Sequence, residues 1–453
     1  MAALDASLDA VFGRGLFDPD WYAATYPDVR DLRLDPEHHY RRYGHAMGRA
    51  PGPEAAADSD LAIALLRAPP PEFGELQAAD AICRTGATRQ GLFFAELHAT
   101  SASSAAIDLL RANAALAAGD ESGWLACLNR YLTTRGAGAV MLGGGASLID
   151  RFIGTASEAV TSGPKVSVLM PARNAEDTLV AAATSILNQS WRNLELLIVD
   201  DASTDATGAV IQELARRDPR VKAFSSPVSV GPYVCKNILL EVAQGAWITG
   251  HDADDWAHPQ RLEAHMGAVL QEATAPPASL THMLRLAPDG RFVRIGARSE
   301  FSPDGVLRLA SVTCLYQADF LKRRLGGWDN VRFAADSELI ARAKRLIGGA
   351  FRTYEQVSML CLDLESSLTN DPAYGVDQMG RLSSVRRIYS DAWAAWHGSF
   401  AQDSSAGELP FPPGPGERRF RAGDEMTVPL DEILRSRAAV LDQHASDGAA
   451  RSL

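Results

Sequence analysis

Asp252-Ala253-Asp254-Asp255 follows closely on the apolar run Ala246-Trp247-Ile248-Thr249. Acids at the carboxyl end of a buried strand face a crevice rather than a core. Hard divalent cations such as Mg²⁺ and Mn²⁺ take oxygen ligands and are commonly held by one or two carboxylates together with substrate phosphates. An Asp252-x-Asp254 pair therefore suits a metal–diphosphate site. The plainer alternative is a solvated acidic turn, and the elements around the cluster decide between the two.

Those elements alternate. Val166–Met170, closed by Pro171, is a first strand. A helix from about Glu176 carries Leu179, Ala182, Ala183, Ile186 and Leu187 on one stripe. Leu194–Val199 is a second strand ending in Asp200-Asp201, and Ser203-Thr204-Asp205 offers N-caps for a helix with Val210, Ile211 and Leu214. A short strand at 221–224 follows. Val234, Ile238 and Val242 mark a third helix with Gly245 as its expected C-cap, and the next strand runs into the Asp cluster. Strand–helix alternation predicts an α/β domain with a mostly parallel central sheet covered by helices. Ligands of open α/β sheets sit outside the carboxyl ends of strands, where Pro171–Asn174, Asp200-Asp201 and Asp252–Asp255 converge.

The run from Val166 to Asn174, Ser185-Ile186-Leu187-Asn188-Gln189-Ser190-Trp191, the run from Val199 to Asp205, and Asp252–Trp256 with Pro259 resemble family-2 glycosyltransferases of the GT-A fold. Leu325-Gly326-Gly327-Trp328-Asp329 and Asp336-Ser337-Glu338-Leu339 resemble a second block of that family. The resemblance spans roughly Lys165 to Thr369, and it is the linked order of motifs that makes it specific.

The resemblance implies roles. Asp201 matches the acid that binds the nucleotide base, with uracil the first expectation, and Pro171 and Arg173 match the loop beside that base. Arg173 stands where many members have an aromatic, so a guanidinium plane would do the stacking. Lys236 stands at a usual arginine and would offset diphosphate charge. Asp252 and Asp254 match the metal motif for Mn²⁺ or Mg²⁺, with Asp254 the direct ligand. Asp336 matches the general base, with Glu338 the next candidate; Ala335 departs from the acid usual before that base. One in-line displacement by the acceptor hydroxyl would invert the anomeric carbon, and the sequence nominates no second carboxylate as nucleophile. His251 and His258, flanking the acids without zinc-site spacing, are expected to support the site from behind or to lie on the surface.

The chain has 453 residues with 44 basic against 56 acidic, a net charge of −12 that argues against a nucleic-acid partner. Five scattered cysteines suggest reduced thiols. With no secretory pattern or long apolar run, a cytoplasmic placement is expected, soluble or peripheral at the inner face of the plasma membrane. The expected domains are a short helical module over 1–55, a helical region over 56–160, the GT-A domain over 161–370 and a helical extension with tail over 371–453. Phe17–Tyr22, Tyr26–Val29 and His39–Gly44 with Gly48-Arg49 resemble a helical module found beside bacterial polysaccharide glycosyltransferases, its aromatics read as a small core. Helices near 104–118 and 121–133 pair around Gly119-Asp120. Prolines 51–53 and 69–71 punctuate the region.

Strands at 283–286 and 291–295 flank a turn on the expected acceptor side. The 365–369 loop could close over donor phosphates. Met379, Leu382, Val385, Ile388 or Tyr389, Trp393 and Trp396 form a stripe for core or dimer packing, or else an interfacial membrane helix. The stretch 410–416 reads as a linker and the end from Ser446 as a frayed tail.

The function these readings imply is metal-dependent inverting transfer from a nucleoside-diphosphate sugar, UDP-linked by first expectation, to a hydroxyl of a glycan or lipid-linked acceptor in surface polysaccharide synthesis. Two alternatives stay open: a non-catalytic carbohydrate-binding or scaffolding protein with a decayed transferase domain, and a sugar nucleotidyltransferase. A dinucleotide-dependent oxidoreductase is excluded by the glycine-free turn at 171–176.

Overall fold

The structure, a computed structural model, describes residues 12, 17–44, 49, 51–52, 74–155, 158–364, 367–376, 381–400, 407–412 and 418–450. Expectations resting on Gly48, Pro53, residues 69–71, Glu365, Ser366, Met379 and residues 413–416 lie outside the described residues. By contact the chain forms two compact units. One comprises Met1–Thr134, Arg285–Arg308 and Gln378–Arg381; the other comprises Arg135–Leu284, Leu309–Asp377 and Leu382–Leu453.

In the first unit, the short helices Pro19–Thr25, Pro27–Asp31 and Pro36–His39 each start at a proline, the first and third behind an aspartate cap. They bury Tyr22, Val29 and Tyr40 together, so these aromatics do form a small core. Tyr22 Oη bonds His39 Nδ1 at 3.1 Å, and Arg49 clamps Asp28 through two bonds of 2.9 and 2.8 Å. The paired helices Ile107–Ala117 and Glu121–Thr134 hold the 285–308 segment. The expected hairpin there is real but short: Leu286 bridges Phe292, and residues 291–295 form no strand. Asn113 occupies the outer edge of this segment, accepting from Phe292 N at 2.7 Å and donating to Phe292 O at 3.0 Å. Trp124 donates to Gly290 O and stacks on Phe292, and Tyr131 donates to buried Asp304 at 2.6 Å. Removing residues 1–134 uncovers Phe292 and Asp304, and limited proteolysis should then cut within 285–308, a stretch resistant in the full chain.

The second unit opens with a two-stranded ribbon, β1 (Val140–Leu142) and β2 (Phe152–Gly154). Its main sheet contains β3 (Val166–Ala172), β4 (Leu194–Asp201), β5 (Val221–Ser226), β6 (Trp247–Gly250), β7 (Asp255–Ala257), β8 (Ala278–Leu286), β9 (Arg308–Leu309), β10 (Leu315–Gln317) and β11 (Arg352–Leu362). The order is β5-β4-β3-β6-β10-β8-β11-β7, with β9 beside β8. The β5-β4-β3-β6 half is parallel, and β10 and the β11–β7 pair run antiparallel.

Strand alternation gives the sheet two apolar faces. Val166, Val168, Met170, Leu196 and Ile198 pack under the Leu179–Leu187 helix, while Leu169, Leu197, Val199 and Ile248 pack with the helices Pro232–Val242 and Ala335–Ile347. The open edge at β5 is covered by the Leu430–Ala450 helix. Its Gln443 imitates a neighbouring strand, accepting from Ser225 N and donating to Ser225 O, both at 2.9 Å.

Several boundaries differ from expectation. The first helix starts at Leu179 rather than near Glu176, because Glu176 accepts from Ala206 N, and Thr178 Oγ1 donates to Ala253 O at 2.9 Å rather than capping. Ser203 likewise accepts from Asn174 N, whereas Asp205 accepts both from Glu176 N and from Thr207 N at 3.0 Å, where the next helix begins. The third helix ends at Val242 with extended Ala243 as its C-cap, while Gly245 N is tied to Ser167 Oγ. In the Ser384–Ser399 helix, Tyr389 is the buried member of the stripe and Ile388 is exposed. The C-terminal helix continues to Ala450 rather than fraying from Ser446.

Candidate active site

The carboxyl ends of β3, β4 and β6 carry Pro171, Arg173, Asp201, Asp252 and Asp254, while Lys236 and Asp336 stand on helices, all in the second unit. Asp252, Asp254 and Asp255 each place a carboxylate oxygen within 4.8 Å of the others. Three hard oxygen donors at that spacing fit Mg²⁺ or Mn²⁺. The turn holding them is fastened from two sides, by Thr178 on Ala253 O and by His251 Nε2 on Asp255 O at 3.2 Å. Asp255 also starts β7 and pairs with Cys361 of β11.

Asp201, at the end of β4, is buried. Its carboxylate accepts from Ser229 Oγ at 2.9 Å, Val230 N at 2.7 Å and Gly231 N at 2.9 Å, with the Cys235 thiol close by. Burial, with Asp201 adding to it, pushes that thiol well above its usual range. Exposed Arg173 donates to the same Ser229 Oγ at 2.8 Å, so Ser229 links Arg173 to Asp201. Ala202, directly after Asp201, and Asn174 both adopt left-handed backbone, and Asn174 cross-links the two loops through Ser203 Oγ and Thr204 N.

Asp336 occupies the first turn of the Ala335–Ile347 helix, which begins after left-handed Ala334. Trp328 Nε1 donates to its Oδ1 at 2.7 Å, and Tyr233 Oη donates to Oδ2 at 3.2 Å. Lys236 is only 2% exposed and places Nζ 3.5 Å from the same Oδ2. Burial, reinforced by Asp336 and Asp252, pushes the Tyr233 hydroxyl well above its usual range and keeps it a donor. Lys236 also passes the end of β6, where a Cβ on Gly250 would lie 3.5 Å from its Cε and 2.7 Å from Val312 O. The lysine thus lies beside the end of β6 and reaches the acid on the Ala335–Ile347 helix.

Asn237, next along the helix, reads the Trp328 main chain. It accepts from Trp328 N at 2.9 Å and donates to Trp328 O at 2.8 Å. Gly327 sits at φ +82°, and a Cβ there would lie 2.4 Å from Asn237 Oδ1, so the Gly326-Gly327-Trp328 motif is a turn shaped to deliver the indole to Asp336. Glu338 is not a spare base. It is 0% exposed and pairs with Arg342 at 2.7 Å and His397 at 3.0 Å. Arg342 also donates to Leu325 O and Gly327 O, so the ion cluster braces the same turn. Nor are the flanking histidines on the surface: His251 and His258 are 0% and 3% exposed, and His258 bonds Gly138 O at 2.9 Å. Tyr233, Asn237, Arg342 and His397 escape sequence reading, because nothing in their spacing announces a contact with a distant turn.

A strand order that is parallel up to β6 and antiparallel beyond it, with acids at the β4 and β6 ends and an acid-led helix opposite, is a GT-A type arrangement. Residues 167–281 match the Glycosyl transferase family 2 profile, and this stretch is a family 2 glycosyltransferase domain. An uncharacterized glycosyltransferase of Haemophilus influenzae is 43% identical over 108 residues, 24% of this chain and 43% of that protein. The putative teichuronic acid biosynthesis glycosyltransferase TuaG of Bacillus subtilis is 31% identical over 34% of this chain and 60% of its own length. A GalNAc(5)-diNAcBac-PP-undecaprenol beta-1,3-glucosyltransferase of Campylobacter jejuni is 30% identical over 36% of this chain and 50% of its own length. The chain thus spans about half the length of these relatives, from 43% to 60%. Among the described residues, no helix is long and apolar enough to cross a membrane.

Proposed function

We propose that the protein transfers a sugar from a nucleoside-diphosphate sugar, UDP-linked by preference, to a hydroxyl of a glycan or lipid-linked acceptor in surface polysaccharide synthesis, with inversion at the anomeric carbon. The observation that carries this reading is the gathering of Asp252, Asp254 and Asp255 within 4.8 Å after β6, together with Asp336 held by Trp328, Tyr233 and Lys236. Relatives named for teichuronic acid synthesis and for a diphosphoundecaprenol-linked acceptor support the acceptor class. Peripheral contact with a membrane surface follows from such an acceptor and belongs to the same proposal.

In this reading Asp252 and Asp254 hold Mn²⁺ or Mg²⁺, with Asp254 the direct ligand. The cation supplies electrostatic stabilisation to the departing diphosphate. Lys236 adds positive charge beside that path and stands 3.5 Å from Asp336 Oδ2. Asp336, oriented by Trp328 and Tyr233, takes the proton of the attacking hydroxyl. Asp201 receives a ring N–H of the base, and Pro171 and Arg173 flank it. Three donors already bond Asp201, and a carboxylate offers about four acceptor directions. The remaining direction is where the base N–H would enter.

Asp254→Asn tests the metal assignment. A thermal-shift titration with UDP and Mn²⁺ should stabilise the parent by about 2.7 kcal/mol at 100 times the dissociation constant, and the mutant should lose the Mn²⁺-dependent part. Equal UDP affinity in parent and mutant, with and without chelator, would remove the metal from the proposal. A decayed scaffold is the second reading, favoured by Ala335 alone, and it predicts no donor turnover by a protein that still binds glycan.

A further inference from the structure

Arg261, the first residue of the Arg261–Gln271 helix, takes no part in the reaction proposed above, yet it is only 2% exposed and lies behind the acid turn. Its Nη2 donates to Gly250 O at 2.7 Å and to Thr249 Oγ1 at 2.9 Å, and its Nη1 reaches His251 Nδ1 at 3.0 Å. A guanidinium can only donate. His251 Nδ1 must therefore accept, the ring proton is on Nε2, and Nε2 faces Asp255 O at 3.2 Å. The imidazole, itself fully buried, is fixed in one tautomer by an arginine and spends its proton on the backbone of the acid turn.

Three carboxylates within 4.8 Å of one another repel. A pinned backbone and nearby positive charge offset that repulsion. Thr178 pins the Ala253 carbonyl, and the arginine–histidine pair pins the Asp255 carbonyl.

We infer that Arg261 and His251 are a positioning pair for the divalent cation: the guanidinium sets the imidazole tautomer, and the imidazole fixes the turn that aims Asp252, Asp254 and Asp255 at one point. The inference rests on the metal reading given above. Neither residue touches the reacting atoms, so both act through the acids.

The test uses the full chain and Mn²⁺ itself, with free Mn²⁺ followed by electron paramagnetic resonance in the absence and presence of UDP. His251→Phe keeps a ring but removes both nitrogens, and Mn²⁺ affinity should fall roughly 10- to 100-fold, as for other groups that orient metal ligands. His251→Gln can still accept from Arg261 and donate to the Asp255 carbonyl, so it should bind Mn²⁺ nearly as the parent does. Arg261→Lys keeps the charge without the fork and should resemble His251→Phe, which covers the case where the phenylalanine variant does not fold. In the metal-free parent, nitrogen-15 NMR should find the His251 proton on Nε2. Folded His251→Phe or Arg261→Lys protein with the parent's Mn²⁺ affinity, a glutamine variant as weak as the phenylalanine one, or a proton on Nδ1 would each overturn the inference. A parent that binds no Mn²⁺ overturns the metal reading and this pair with it, whereas equal Mn²⁺ binding by parent and His251→Phe overturns the pair alone.

Discussion

Asp336→Asn protein is expected to transfer sugar about 10² to 10⁴-fold more slowly than the parent while binding nucleotide with nearly unchanged affinity. The amide keeps the shape and can still accept from Trp328 Nε1 through its oxygen. It cannot take a proton from an acceptor hydroxyl. Its NH₂ group would instead face Tyr233 Oη and Lys236 Nζ, which now converge on Oδ2. Single-turnover transfer and a UDP titration on the same preparation separate the two effects. Near-parental transfer by folded mutant would end the base assignment, and loss of UDP binding would make Asp336 a structural residue. Glu338 cannot replace it, since Arg342 and His397 occupy its carboxylate and no part of it reaches solvent.

Arg342→Met is expected to destabilise the second unit by about 3–5 kcal/mol, the cost of leaving a buried partner charge uncompensated. Glu338 loses its main counter-charge, and the Leu325 and Gly327 carbonyls lose their donor. Urea unfolding of parent and mutant measures this through the midpoint at constant slope. Adding Glu338→Gln should recover part of the loss, because the stranded charge is then gone. A single mutant within about 1 kcal/mol of the parent would show that the cluster braces nothing. The pH dependence has a definite sign. Burial pushes the Glu338 carboxyl up, but Arg342 and His397 outweigh it and hold the group below its ordinary range. Its contribution is therefore complete above the unfolded carboxylate range and is lost as pH falls through the lowered folded value.

The sequence by itself carried the strands, because β3, β4 and β6 are short apolar runs whose period and flanking turn residues leave little choice. It carried the acids as well, because each stands where a strand or turn ends, and local order along the chain is enough to see that. What it could not carry is any contact between residues far apart. The span from Asn237 to Trp328, from Lys236 to Asp336 and from Glu338 to His397 is decided by which helix the sheet sets beside which turn. For the same reason Glu338 looked like a second base in the chain and proved to be half of a buried ion pair in the fold. Helix starts shifted where a capping side chain found a stronger partner in a neighbouring loop, as Thr178 did in the Ala253 carbonyl. Local propensity chooses the elements, and the tertiary structure decides which polar groups those elements spend on each other, since a buried donor or acceptor must be satisfied wherever its partner lies in sequence.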